Sequence, residues 1–307
     1  MTLYNQIDSN KRKTWVIMFL FIAVVVLVSF IFGQYFSYDS GLSAELSLIL
    51  SAYALIFSGI TSFGSYYFSD KIVLAISGAK PVAENDNPQL YRLVENLCIG
   101  AGLPKPKIYL INDSAPNAFA TGRDPKHAVI CVTTGLLEKL NRLELEGVIA
   151  HELSHIGNYD TRLLSIVSIL VGSITLLADW FLRSMFWGGH RRRDRDSGNS
   201  NGFILIIALI FAIISPIIAT LIHLAISRNR EYLADASGSL LTRYPNGLAS
   251  ALEKIAKDKE PLEAANKGTA HLYIINPLKN DETTGFLAGL FNTHPPVGER
   301  IKRLRAM

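Results

Sequence analysis

The chain has 307 residues, enough for one large domain or two smaller ones. It is 49% hydrophobic and only 18% charged, with a mean hydropathy of +0.25. That composition excludes an ordinary soluble enzyme and asks for membrane spans. A formal net charge of +4, with no nucleic-acid motif beside it, gives no reason to expect a nucleic-acid partner.

The first element in chain order is apolar. Trp15 to Phe32 is interrupted only by Ser29. At ~1.5 Å per residue it covers ~27 Å, close to a hydrocarbon core. Lys11, Arg12 and Lys13 precede it, but it is too long for a signal-peptide core and lacks a small-residue cleavage site, so an uncleaved anchor is expected. A second span is expected at Leu42 to Phe63. Its small residues Ser47, Ser51, Ser58 and Gly59 suit close approach of a neighbouring helix. The basic triplet stays in the cytoplasm, and the connection from Gly33 to Gly41 has no Lys or Arg. The chain therefore returns to the cytoplasm near Asp70.

Residues 69–162 then read as the first part of a cytoplasmic catalytic domain, after an anchor at 1–68. Asn87-Pro88 opens a helix with Leu90, Leu93, Val94 and Leu97 on one face, ended by Gly100-Ala-Gly102. Lys107–Ile111 and Ala128–Val132 read as strands. Asn117–Gly122 between them suits either a strand with an exposed edge, able to bind an extended peptide, or a plain connection. Cys98 and Cys131 form no C-x-x-C and are expected as small buried hydrophobes in a reducing compartment.

Asn141-x-x-Glu144 is a capping-box pattern that would start the next helix, and Gly157-Asn158 would end it. That helix carries His151-Glu152-Leu153-Ser154-His155. One turn apart, His151 and His155 share a face and can hold one Zn²⁺, with Glu152 beside an open coordination position as general base. Asp160 is expected to cap the helix that follows. A bare H-E-x-x-H arises by chance in roughly one chain in a hundred of this length, so the motif needs a third ligand. Position 161 is Thr, which removes the third-histidine spacing.

Residues 163–227 read as a hydrophobic hairpin. Leu163 to Ala178 is stopped by Asp179 and Arg183, and Phe203 to Ile226 contains Pro216 and His223, expected to be structural. The loop between holds Arg191, Arg192, Arg193 and Arg195. A spanning hairpin would put them outside, against the positive-inside rule, so spanning and partly inserted arrangements both stay open. Residues 228–307 then complete the catalytic domain. On a helix at Arg228–Asp235, Glu231 is the candidate third ligand. Asp235, one turn on, could accept a hydrogen bond from a ligating histidine. His127, His190 and His271 are assigned no chemistry.

The H-E-L-S-H motif with Asn158 and Asp160, followed by Arg228-x-x-Glu231-Tyr-x-Ala-Asp235, resembles the M48 metallopeptidases, and within them the membrane-bound bacterial heat-shock members. Asn117, Ala118, Phe119 and Ala120 resemble the family's N-A-F-A segment, and Thr293-His-Pro-Pro296 with Arg300 resembles its T-H-P-P-x-x-x-R element. The resemblance implies a mainly α fold with a small β-sheet (α+β), a zincin-like catalytic domain of the gluzincin type, and one Zn²⁺ per chain. It implies that Asn117 to Ala120 line the substrate cleft as an edge strand. It also implies that His294 assists catalysis near the scissile carbonyl, with Arg300 behind the ligands. The expected protein is a multi-pass protease of the bacterial cytoplasmic membrane, its site facing the cytoplasm, acting on unfolded or misfolded membrane proteins. The rival readings are a zinc transporter, which needs ligands inside the spans, and an inactive membrane scaffold, which needs loss of a ligand or the base.

Overall fold

A computed structural model of the chain describes residues 3–40, 45–188, 227–265, 269–277 and 295–307. The expected apolar segment at 203–226 with Pro216 and His223, the Arg191–Arg195 loop with His190, and His294 lie outside the described residues.

The chain divides into two units. The second comprises Trp15–Gly64 and Leu170–Leu221. Its described part includes most of helix α1 (Leu3–Ser40) and the first half of helix α2 (Glu45–Ile76). Stretches of both, Gln6–Ile31 and Ser47–Ile76, are long and apolar enough to cross a membrane. Large side chains such as Phe19, Leu48, Tyr53 and Ile60 are exposed along them, as lipid-facing residues would be. Among the described residues, the expected small-residue contact forms at Ser47. Gln34 donates to Ser47 Oγ at 2.9 Å, and a Cβ on Gly33 would fall 2.5 Å from Ser47 Cα. Ser51 and Ser58 instead bond back to the carbonyls four residues before them, and Gly59 faces open space. The third apolar segment belongs to helix α6 (Asp160–Gly188), which runs on through Asp179 and Arg183. Those charges end a hydrophobic run, but neither residue is a helix breaker.

The first unit comprises Met1–Thr14, Ser65–Ile169 and Ile222–Met307. Its centre is a sheet of β1 (Lys80–Pro81), β2 (Lys107–Ile111), β3 (Ala118–Thr121) and β4 (Val129–Thr133), in the order β1-β2-β4-β3. β2 and β4 are parallel, and the two outer pairings are antiparallel. Both faces are covered, which is why β4 reads Val-Ile-Cys-Val without polar alternation. Ala118, Ala120, Ile130 and Val132 pack on helices α3 (Pro88–Ala101), α5 (Arg142–Gly157) and α8 (Pro245–Lys257). Phe119, Val129 and Cys131 pack on the other side against Val73, Leu262 and Tyr273. Helices α4 (Thr134–Lys139), α7 (Arg228–Thr242) and α9 (Val297–Arg305) complete the described set. α3 forms as its sequence predicts, with Asn87 capping its start and Gly102 closing it at φ +65°. Both cysteines are free and buried, and burial pushes the Cys98 thiol up to about 11.

Candidate metal centre

The site is built on α5, whose start is fixed by the capping box. Asn141 Oδ1 accepts from the Glu144 amide at 3.0 Å, and Glu144 Oε2 accepts from the Asn141 amide at 2.8 Å. The helix lies between β3 and helices α7 and α8, so the two histidines and Glu152 are 1, 7 and 2% exposed. α7 can approach because position 238 is glycine. A Cβ there would sit 2.9 Å from the His151 backbone nitrogen. This contact aims Glu231 and Asp235, two turns and one turn before Gly238, at the histidines.

Each histidine is held from behind by a carboxylate. Asp235 Oδ1 lies 3.0 Å from His151 Nδ1, and Asp160 Oδ2 lies 3.0 Å from His155 Nδ1. A carboxylate only accepts, so the Asp160 hydrogen bond puts a proton on His155 Nδ1, and the close approach of Asp235 favours the same tautomer at His151; a neutral ring of this kind has its lone pair on Nε2. The two Nε2 atoms face each other at 3.1 Å. Glu231 adds oxygens 3.8 Å from His151 Nε2 and 3.5 Å from His155 Nε2. Ligand atoms of His151, His155 and Glu231 all lie within 4.8 Å of one another. Without a metal a proton on His155 Nε2 can bridge the pair; with both rings neutral, two nitrogens and a carboxylate oxygen converge on one point, so the donor set fits a metal ion. Two nitrogens and one carboxylate oxygen suit zinc.

The titrations express the same crowding. Burial lowers His151. Burial also pulls on His155, but the Asp160 hydrogen bond and the charge of Glu231 outweigh it and raise this ring to about 9. Burial pushes Glu152 up to about 7, with Glu231 adding to the rise and His155 and the Ala120 N–H opposing it. A carboxylate near neutrality suits a general base. Burial would raise Asp235 too, but Arg300 holds it below the usual range. Arg300 is fully buried and grips Asp235 through two hydrogen bonds of 2.8 and 2.7 Å. It reaches the ligands from there, with Nη1 3.5 Å from Glu231 Oε2 and Nη2 3.4 Å from His151 Nε2.

Asp160 departs from its expected role. It stands in the first turn of α6, but both carboxylate oxygens point back to the site instead of capping that helix. Tyr159, at φ +60°, reverses the chain between α5 and α6 and brings Asp160 beside His155. Local spacing suggested a cap because it carries no information about that reversal.

The Asn117–Thr121 segment forms an edge strand, but its outer edge is engaged. The Ile274 amide donates to Ala118 O at 3.0 Å. Asn117 Nδ2 donates to Ile275 O at 3.0 Å, and Arg300 Nη1 donates to Ile274 O at 2.9 Å. The Ala120 N–H, on the same outer edge, points to Glu152. Phe119 packs on the opposite face of the sheet, its ring 5.0 Å from that of Tyr273. Of the four expected cleft residues, Ala118 and Ala120 therefore present main-chain groups to the site, and Asn117 anchors the strap over it. The cavity among Ala120, His151, Glu152, Glu231 and Ile274 measures about 10 Å³, room for roughly one water. His271, assigned no chemistry from sequence, lines this cavity, with Nε2 2.8 Å from Ser168 Oγ. Its position comes from the strap, which no periodicity in the sequence marks.

Residues 84–307 match the model of peptidase family M48. A protein described as "Protease HtpX homolog" from Dictyoglomus turgidum is 48% identical over 306 residues, covering 100% of this chain and 95% of that protein. Proteins of the same description from Caldanaerobacter subterraneus subsp. tengcongensis and Tropheryma whipplei are 47 and 46% identical, each covered over 98% of its length. The crystal structure of S. mikatae Ste24p resembles the chain at a TM-score of 0.47 and 19% identity, covering 94% of this chain and 62% of that one.

Proposed function

The chain belongs to peptidase family M48 and is a membrane-associated metalloprotease; from that premise we propose that it is a zinc-dependent endopeptidase of the bacterial cytoplasmic membrane that hydrolyses unfolded or misfolded membrane proteins. The observation that carries this reading is the convergence of His151, His155 and Glu231, with Glu152 beside the outer edge of β3.

His151, His155 and Glu231 would hold the zinc. When bound, the ion supplies a Lewis acid that polarises the peptide carbonyl and lowers the pKa of a water towards neutrality. Glu152 takes the proton of the attacking water and later delivers one to the leaving amine. Asp235 and Asp160 keep both imidazoles in the tautomer that presents Nε2. Arg300 holds Asp235 ionised so that it can do so. His294 is proposed, on the family resemblance, to support the developing oxyanion.

The substrate strand would pair with the outer edge of β3, accepting from Ala120 N–H and donating to Ala118 O. The chain's own Ile274 already donates to Ala118 O, so substrate pairs there by displacing the strap at 272–275. Main-chain pairing selects extended conformation over side-chain identity, which suits unfolded substrates. The basic triplet Lys11–Lys13 before the first span supports a cytoplasmic site, and the two long apolar helices support a multi-pass topology.

The test is metal analysis and cleavage together, on full-length protein in detergent. One zinc per chain, loss of casein cleavage on chelation and recovery with added Zn²⁺ are expected. Undiminished cleavage in the metal-free protein would sink the proposal.

A further inference from the structure

Resting on the zinc reading, we propose that Asn10, on the helix that carries the first apolar span, is a positioning residue for the metal site, acting on the ligand His155 through Asp160. Asn10 is 2% exposed, although it stands inside a helix and caps nothing. Both amide donors and one acceptor direction of its side chain are used, and each leads to a distant part of the chain. Nδ2 donates to Asp160 Oδ1 at 2.8 Å and to Asn158 O at 2.9 Å. Oδ1 accepts from Arg230 Nη1 at 3.1 Å. The same Arg230 nitrogen reaches Asp160 Oδ1 at 3.2 Å.

These partners stand immediately behind the ligands. Asn158 ends the helix that bears both histidines. Asp160 spends its other oxygen on His155 Nδ1, and Arg230 precedes Glu231. One amide thus ties the end of α5, the start of α6 and the start of α7 to α1. A second contact marks the same corner, where Lys11 Nζ sits 4.7 Å from the centre of the Tyr159 ring in the reversing turn.

The chemistry assigns each atom a task. Asp160 Oδ2 stays aimed at His155 Nδ1 only while the carboxylate cannot rotate. Two donors on Oδ1, one from Asn10 and one from Arg230, fix its orientation. Without Asn10, Arg230 alone holds Oδ1, and the Asn158 carbonyl at the end of α5 loses its donor. The His155 ring then gains freedom about its side-chain torsions, and the zinc site loses preorganisation. This makes α1 part of the catalytic unit as well as a membrane span.

The experiment is a double-mutant cycle on full-length protein in detergent micelles. The probe is Zn²⁺ in competition with a chromophoric chelator, and the visible spectrum of Co²⁺-loaded protein is the second readout. Removing partners of metal-binding histidines typically weakens affinity by about 10–100-fold. Asp160→Asn should fall in that range, and Asn10→Ala should weaken zinc about tenfold and alter the Co²⁺ bands. The double variant should bind no more weakly than Asp160→Asn alone, because both changes cut one path. If Asn10→Ala fails to fold, Asn10→Asp keeps its size, removes both donated bonds and sets a carboxylate against Asp160, with the same expected result. Zinc affinity within twofold of the unaltered protein for the Asn10 variant, or effects that simply add, would overturn the proposal. If Asp160→Asn and His155→Ala also bind zinc normally, the metal assignment itself fails.

Discussion

Gly238→Ala places two opposing effects in one substitution. In an exposed helix interior, alanine in place of glycine stabilises by about 1 kcal/mol. Here the added Cβ would meet His151 N at 2.9 Å, Ala150 C at 3.1 Å and His151 Cα at 3.2 Å. All three are backbone atoms of α5, and none can swing aside. Ordinary carbon contacts lie at about 3.5–4.0 Å, so α7 must retreat by about half an ångström. Overpacking of this kind costs about 1–3 kcal/mol, which meets or exceeds the propensity gain. The consequence at the site is larger than the change in stability. α7 carries both Glu231 and Asp235, so both shift together relative to His151, whereas metal–ligand distances tolerate only about ±0.2 Å. Chelator competition should show zinc bound at least about tenfold more weakly, within the range typical of disturbed histidine partners. The thermal midpoint of the metal-free protein should be unchanged or lower. A higher midpoint with zinc affinity within twofold of the unaltered protein would refute the claim that this close approach sets the site.

Two further predictions follow from the same geometry. His155 is raised to about 9 in the metal-free protein, above the ordinary histidine value of about 6.5. Its proton therefore stabilises the metal-free fold fully below about pH 6.5, and that contribution is lost as pH rises through about 9. Zinc needs the neutral ring, so binding at pH 7 should release about one proton and tighten with rising pH up to about 9. Calorimetry in buffers of different ionisation enthalpy measures the release; no release and a flat affinity from pH 6 to 8 would contradict it. For the strap, Ile274→Pro deletes the N–H that occupies Ala118 O, and Tyr273 already has the backbone that precedes proline (φ −74°, ψ 146°). Losing one hydrogen bond of about 0.5–1.5 kcal/mol should raise kcat/KM on an unfolded substrate by about two- to tenfold; an unchanged or lower value would show that the strap does not compete with substrate.

The local parts of this structure were legible because their signals are local. The capping box at Asn141 and Glu144, the α3 caps and the i, i+4 histidines each lie within a few residues, and each appears where spacing put it. Glu231 and Asp235 were legible because they too are one helical turn apart on the far side of the hydrophobic segments. Arg300 was named only through family resemblance, since nothing within its own helix points to Asp235. The missed parts are long-range. Asp160 looked like a cap because the reversal at Tyr159 depends on a positive φ that tyrosine does not advertise. Asn10 carries no local signal, because its partners are 148 to 220 positions away. The strap at 269–277 and His271 within it have no periodicity, and only folding shows that the strap fills the edge expected for substrate.

The measurement closest to the central claim is cleavage of an unfolded protein by Glu152→Gln, with zinc content determined on the same samples. Glu152 is not one of the three ligands and takes no part in their contacts with Asp160 or Asp235, so the variant should retain one zinc per chain. Loss of the general base should slow cleavage by about 10²–10⁴-fold. A zinc-loaded Glu152→Gln protein that cleaves as fast as the unaltered enzyme would contradict the account.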